Sequence, residues 1–409
     1  MMRSLFAGVS GLKSHQVKMD VLGNNIANVN TTGFKASRVS FAEMFSQTLR
    51  GASAPSDERG GTSAQQIGLG TMISSIDIIQ GQGNLQSTGG ETDMAIEGQG
   101  FFILQNGDQI LYTRAGAFQP DADGFLVDPS GARVLGWAAD AGVLPRADAT
   151  NLENIRIPLG ETIGARASTV VVYRNNVNSS SEVGYEWTTP VEVFDSMGHR
   201  HTIQMNFTKT DDNEWAWEVT ADSGGIDGVV GGTGVITFDA DGIAEEAGAL
   251  GNVTLQFSEA SDIELDLDFS QITQFYGSTT ASAVKRDGHP MGTLESFTVD
   301  SSGEITGVYS NGRTQTLAQV GLAAFSNPGG LIREGGNIYR ESNNSGLRQV
   351  GPPGTASRGT VAPGSLEMSN VDLSEQFAEM IITQRGFQAN SRIITTSDEM
   401  LQELVNLKR

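Results

Sequence analysis

His199 and His201 stand two residues apart in MGHRHT, a spacing that puts two imidazoles on one face of a strand, where they could grip a metal. The chain holds four histidines and no cysteine, and no further His or Cys lies near this pair to complete a ligand set. Asp121-Ala-Asp-Gly124 and Asp239-Ala-Asp-Gly242 begin like calcium loops. Such a loop needs an oxygen ligand at its fifth position, glycine at its sixth and glutamate at its twelfth. Here glycine falls at the fourth, so both stretches read as hairpin turns. GQGNLQ and GQGFF lack the third glycine of a dinucleotide fingerprint, and there is no Walker loop or Gly-x-Ser-x-Gly elbow. Carboxylates are plentiful, but nothing singles out a pair. No catalytic, cofactor-binding or metal site is assigned, and the chain reads as a non-enzyme that needs no cofactor.

The bulk properties narrow the field further. Lys and Arg number 26 against 48 Asp and Glu, a net charge of −22 that argues against nucleic acid or an anionic membrane as partner. With 38% hydrophobic residues the chain can build real cores, and 409 residues suffice for several domains. The 51 glycines are scattered, which suits many turns between short strands. The absence of cysteine excludes disulfides and zinc-thiolate sites and suits a chain kept unfolded during export. The start, MMRSLFAGVSGLKSHQVKMD, does not read as a secretory signal, and no stretch is apolar for long enough to insert in a membrane.

The elements that would position any site fall into two kinds. At the start, Leu5, Leu12, Met19 and Ile26 recur every seventh residue, joined by Leu22 and Val29. At the end, Leu373, Met380, Phe387, Ile394 and Leu401 do the same, flanked by Phe377. A seven-residue apolar period marks a helix with a narrow seam against another helix. Asp372 is a candidate N-cap for the second helix, with Glu375 three residues on. Both stripes are thin and flanked by polar residues, so neither helix would be stable alone. The first runs into LGNNIANVNTTGFKAS, where Asn24, Asn25, Asn28 and Asn30 compete with the helical backbone for hydrogen bonds. They mark a programmed turn out of the helix, completed by Gly33 and anchored by Phe34.

Between the ends, short β-branched and aromatic runs are punctuated by Asn106-Gly107, Asp123-Gly124 and Ser130-Gly131. Two Gly-, Pro- and Ser-rich stretches, 50–66 and 351–364, read as linkers. The expected fold class is therefore α+β: terminal helices in a coiled-coil-like pair, with two nested all-β domains between them.

SLFAGVSGLKSHQVKMDVLGNNIANVNTTGFKAS closely resembles the N-terminal signature of the bacterial flagellar rod and hook proteins. GSLEMSNVDLSEQFAEMIITQRGFQANS is similar to that family's C-terminal signature, and AIEGQGFFIL, YTRAGAF and GLAAFSNPGGLIREGGNIYRES match between them. The chain's length and the extra block from Leu152 to about Ala283 point to the hook branch, with the distal rod protein as the alternative. The resemblance implies a terminal helical domain (1–30 plus 366–409) on the inner wall of a tube and an extended linker region (31–70 plus 351–365). It implies an inner β domain (71–151 plus 284–350) and an outer one inserted in it (152–283). The spacer 46–67 is longer than in compact hook proteins and is expected to brace neighbouring subunits.

What the resemblance implies for function is mechanical. Many copies would form a curved helical tube outside the cell, a universal joint carrying motor torque to the filament. The helical stripes would meet neighbouring copies, and the outer block would set curvature. Implied partners are the distal rod protein at the base, the hook cap protein, the hook–filament junction protein and the flagellar type III export apparatus, with export not requiring signal cleavage.

Overall fold

The computed structural model describes residues 2–55, 60–140, 142–145, 151–221, 225–245, 250–257 and 260–407. Its two ends are helical and its middle is β. α1 spans Met2–Ala27 and α2 spans Leu373–Asn406. α2 starts where the Asp372 carboxylate accepts the N–H groups of Ser374 and Glu375, satisfying two of the donors a helix start leaves unpaired. The helices run antiparallel: Gly8 lies against Ile394, Gly11 against Asn390, and Asn25 bonds Gln376.

The chain divides into two compact units, one of residues 1–158, 297–306 and 315–409, the other of 159–296 and 307–314. The expected boundaries at 152 and 283 therefore move. Residues 153–154 pair with the strand Arg133–Ala138 and stay in the first unit. The strand Ser282–Arg286 pairs with Val170–Asn178, and His289 bridges Arg166, so 284–296 belong to the second. The helices, the stretch 31–70 and the inner β strands are one unit, not three.

Neither expected linker is a linker. Ser37–Glu43 pairs with Thr71–Ile78, and Ser46–Arg50 pairs with Gln65–Gly68, making one antiparallel arm; 56–59 lie outside the described residues. In the second stretch, Thr360–Pro363 pairs with Met94–Glu97. Both segments look like loops because their pairing partners lie elsewhere in sequence, which composition cannot register. Also in the first unit, Phe101–Asn106 pairs with Gln109–Thr113, Arg133–Ala138 and Leu322–Ala324. Phe101, Tyr112, Phe325 and Tyr339 pack edge to face beneath these strands.

The second unit is a sandwich. One sheet orders Ile226–Val230, Leu250–Phe257, Ile263–Phe275, Val170–Asn178 and Ser282–Arg286; the other orders Glu186–Phe194, Arg200–Asp211, Glu214–Ala221 and Thr233–Thr237. Alternate residues His201, Ile203, Met205 and Phe207 point inward to a core with Tyr173, Trp215 and Phe269.

Five hairpins share one loop, Asp-x-x-Gly-x, beginning at Asp121, Asp128, Asp195, Asp239 and Asp300. In each, the aspartate Oδ1 accepts the backbone N–H groups two and four residues on. The glycine takes φ between 69° and 89°, which it alone adopts without penalty. The two calcium-like stretches are two of these turns, with a carboxylate oxygen of Asp121 and of Asp239 turned onto the backbone. His199 and His201 both bond Asp195 Oδ2 at 3.2 Å, but His199 sits in the turn and only His201 is buried. Among the described residues, no three His, Asp or Glu are placed to hold a metal.

Candidate functional site

The centre of the α1–α2 contact is made by small and polar residues. Gly8 and Gly11 are buried on α1, with Asn25 at its end, and Thr383 and Ser397 on α2; Ser14, also buried, turns to Thr71 O of the arm. A Cβ on Gly11 would come within 2.8 Å of the Asn390 amide, and one on Gly386 within 2.7 Å of the His15 ring. Such close backbone approach needs residues without bulk. Lys18 and Glu379 pair at 3.2 Å across the same contact.

The heptad residues flank this seam. Leu22 is buried at 3% exposure, while Leu5, Leu12, Met19, Ile26, Val29, Met380, Phe387, Ile394 and Leu401 are half-buried. Leu373 and Phe377 are exposed, and so are Phe6 at 67%, Ile381 and Ile382. The hairpin therefore buries its small residues and presents much of its apolar surface outward.

At the end of α1 the asparagines divide their work. Asn25 alone is buried: its Nδ2 donates to Ser37 O and Gln376 Oε1, and its Oδ1 accepts Ser37 N–H, tying α1 to the arm and to α2. Asn28 closes the last turn, donating to Asn24 O and accepting Thr31 Oγ1–H. Asn24 and Asn30 are exposed. Gly33 then takes φ +68°, and its N–H reaches Glu367 O at 2.7 Å; a Cβ there would lie 2.6 Å from Ala115 N. Phe34 is buried under the Arg333 guanidinium, 5.1 Å from the ring centroid.

Next to Phe34 lies a group that the sequence reading did not single out. Lys35 is fully buried; its Nζ donates to Glu367 Oε1 at 2.6 Å and to Gly81 O at 2.8 Å. Arg114 Nη1 donates to the other Glu367 oxygen at 3.1 Å, and Gly83 N–H adds a third donor. Burial pushes the Lys35 pKa down, with the Glu367 charge and hydrogen bond opposing. Arg333 donates to Lys35 O, and Asn337 to Thr32 O. Asn370 accepts Ala36 N–H and donates to Ile79 O. The side chains come from TTGFKAS, YTRAGAF, GLIREGGNIYRES and SLEMSNVDL and the backbone of IIQGQG adds Ile79, Gly81 and Gly83, so five stretches of the sequence converge on one buried hub. The available signal was the charge within each of the first four: Lys, Arg or Glu set among small and apolar neighbours.

Four ranges of the chain match family models described as "Flagella basal body rod protein" (residues 5–35), "Flagellar hook protein FlgE/F/G D1 domain" (95–174), "Flagellar basal body protein FlaE D2 domain" (164–289) and "Flagellar basal body rod FlgEFG protein C-terminal" (362–407). Over its whole length the chain is 41% identical to the whole flagellar hook protein FlgE of Treponema pallidum. The chain belongs to the flagellar hook protein family. This hook-family chain is also 34% identical, end to end on both sides, to the flagellar basal-body rod protein FlgG of Bacillus subtilis, so length by itself does not separate hook from rod. The crystal structure of Helicobacter pylori flagellar hook protein FlgE2 matches 69% of the chain and all of its own, with TM-score 0.53 at 17% identity, a likeness of fold.

Proposed function

We propose that this chain is the structural subunit of a flagellar hook, polymerising through its helical hairpin into a curved tube that transmits torque while bending. The observation that carries this is the outward apolar surface of α1 and α2, with Phe6, Phe377, Ile381 and Ile382 uncovered beside a polar seam. Large apolar side chains left exposed along both helices of one pair point to an interaction surface. A head-to-tail contact that does not close generates a filament, in which many modest contacts become cooperative. The heptad residues Leu5, Leu12, Met19, Ile26, Leu373, Phe377 and Met380 would complete their burial against neighbouring copies. The hub would hold the hairpin at a fixed angle to the strands around it, as torque transmission requires.

The proposed setting is extracellular, with export through the flagellar type III apparatus. The rod protein would lie at the base, a cap protein would act during growth, and a junction protein would sit at the tip. The test is electron microscopy of cells expressing this chain with and without residues 1–30. Curved tubes from the full chain and none from the truncation are expected. Soluble monomers from both would overturn the reading, and straight rigid rods would favour the rod branch.

A further inference from the structure

The second unit is acidic overall, with seven Lys and Arg against 22 Asp and Glu in 159–296 and 307–314, yet three of those seven cations line one cleft. Arg200, Arg286 and Arg313 line an open cleft of about 570 Å³ together with Phe194, His289 and Asn311. Glu192 is shared by Arg200 at 3.1 Å and Arg286 at 3.2 Å, and Arg313 has no ion pair among the described residues. The cleft is thus left with an excess of positive charge, over the face of Phe194.

Arg200 begins the strand Arg200–Asp211, twelve residues long, and at its other end the charge is reversed. Asp211 and Asp212 form the hairpin tip, with the Asp212 side chain 96% exposed. The tip accepts a neighbouring turn through Asn213, and Asp241 and Glu245 stand exposed beside it. Lys209, the one cation nearby among the described residues, is buried; it donates to the carbonyls of Ser179 and Ser181 and lies 3.7 Å from Asp212 Oδ1, which leaves Asp211, Asp241 and Glu245 as the excess negative charge of this end. At about 3.3 Å per residue the strand holds the two ends roughly 40 Å apart.

We infer that the arginine cleft of one copy receives the Asp211–Asp212 tip of a second copy of this chain, a head-to-tail contact between second units along the tube. A cleft and a tip of opposite charge at opposite ends of one rigid strand cannot satisfy each other within a molecule. They can do so between copies, and where copies repeat along a tube the result is a contact that repeats without closing. Exposed ion pairs of this kind are each weak and salt-screened, so such a contact slips and re-forms as a bending tube requires. The inference rests on the assembly reading above.

The absence of cysteine provides the test. In full-length chain carrying Asp212→Cys and Arg313→Cys, a disulfide within one copy is excluded by distance, since it needs Cα atoms within about 7 Å. Mild oxidation of assembled tubes is expected to give a ladder of cross-linked multimers, absent from either single variant and from Asp212→Cys paired with Arg174→Cys. Well-formed tubes without a ladder, or an equal ladder in the Arg174 control, overturn the inference while leaving assembly intact. Failure of the unsubstituted chain to form tubes overturns both. Independently, Arg313→Glu is expected to weaken each contact up to about fivefold and lower the salt concentration at which tubes dissociate, with Asp212→Arg restoring it. A double variant no better than the single one counts against the pairing.

Discussion

Lys35 Nζ lies 2.6 Å from Glu367 Oε1, both side chains fully buried, although the two residues stand 332 positions apart in the chain. The pair ties the turn after α1 to the strand before α2, so the two ends of the chain are fixed to each other before either meets a neighbour. Arg114 completes the network from a third segment.

Removing one partner of a buried, hydrogen-bonded pair leaves an uncompensated charge and costs about 3–5 kcal/mol. Glu367→Gln is expected to fall in that range in denaturant unfolding of the monomer, because it strands both Lys35 and Arg114. Lys35→Met should cost less, since Arg114 still neutralises the carboxylate. The double variant should cost less than the sum of the two. Strict additivity would mean the two side chains do not interact.

The seam makes a prediction of sign. Gly11→Leu forces a side chain against Asn390 and should destabilise the first unit by about 1–3 kcal/mol. Gly23, on the same helix with open space around it, should do the opposite: Gly23→Ala is expected to stabilise by about 0.5–1 kcal/mol through helix propensity. Circular dichroism melts of both variants check this: an unchanged or raised melting temperature for Gly11→Leu would show that the seam is not tightly packed, and a lowered one for Gly23→Ala that its surroundings are not open.

His15 gives the hairpin an acid sensitivity. Burial against α2 holds its pKa below the ordinary 6.5, with the Lys18 charge adding to the effect. The folded state therefore disfavours the proton. Its stability is complete above pH 6.5 and is lost as pH falls from there through the lower folded value. Amide protection factors across α1 and α2, corrected for the intrinsic exchange rate at each pH, should fall between pH 7 and pH 5, and His15→Gln should flatten that response.

The Asp-x-x-Gly-x turns are held by the aspartate, whose Oδ1 accepts two backbone N–H groups, and are expected to form without an ion. Asp239→Ala is expected to cost about 1 kcal/mol, the typical loss when a side-chain acceptor of backbone N–H groups is removed. Millimolar calcium or a chelator should leave the melting temperature of the unsubstituted chain unchanged. A rise with calcium that Asp239→Ala abolishes would show that this loop binds the ion.

Much of this was written in local sequence. The period of Leu5, Leu12 and Met19, the Asp372 cap and the asparagines after Ile26 act within a turn or two of their own position, so their residue types announce them. So do the Asp-x-x-Gly-x turns, where aspartate and glycine sit three apart. Tertiary structure alone decided the rest. A heptad stripe shows which face is apolar but not whether the partner covers it; here small residues such as Gly11 and Gly386 take the contact, and Phe6 and Phe377 are left outside. The arm at 37–78 and the strand Ser282–Arg286 went unread because strand pairing is satisfied by distant segments and leaves no mark on composition. Lys35 and Glu367 carry no periodicity, since a buried ion pair is specified by its partner's position in space. That position exists only once the chain has folded.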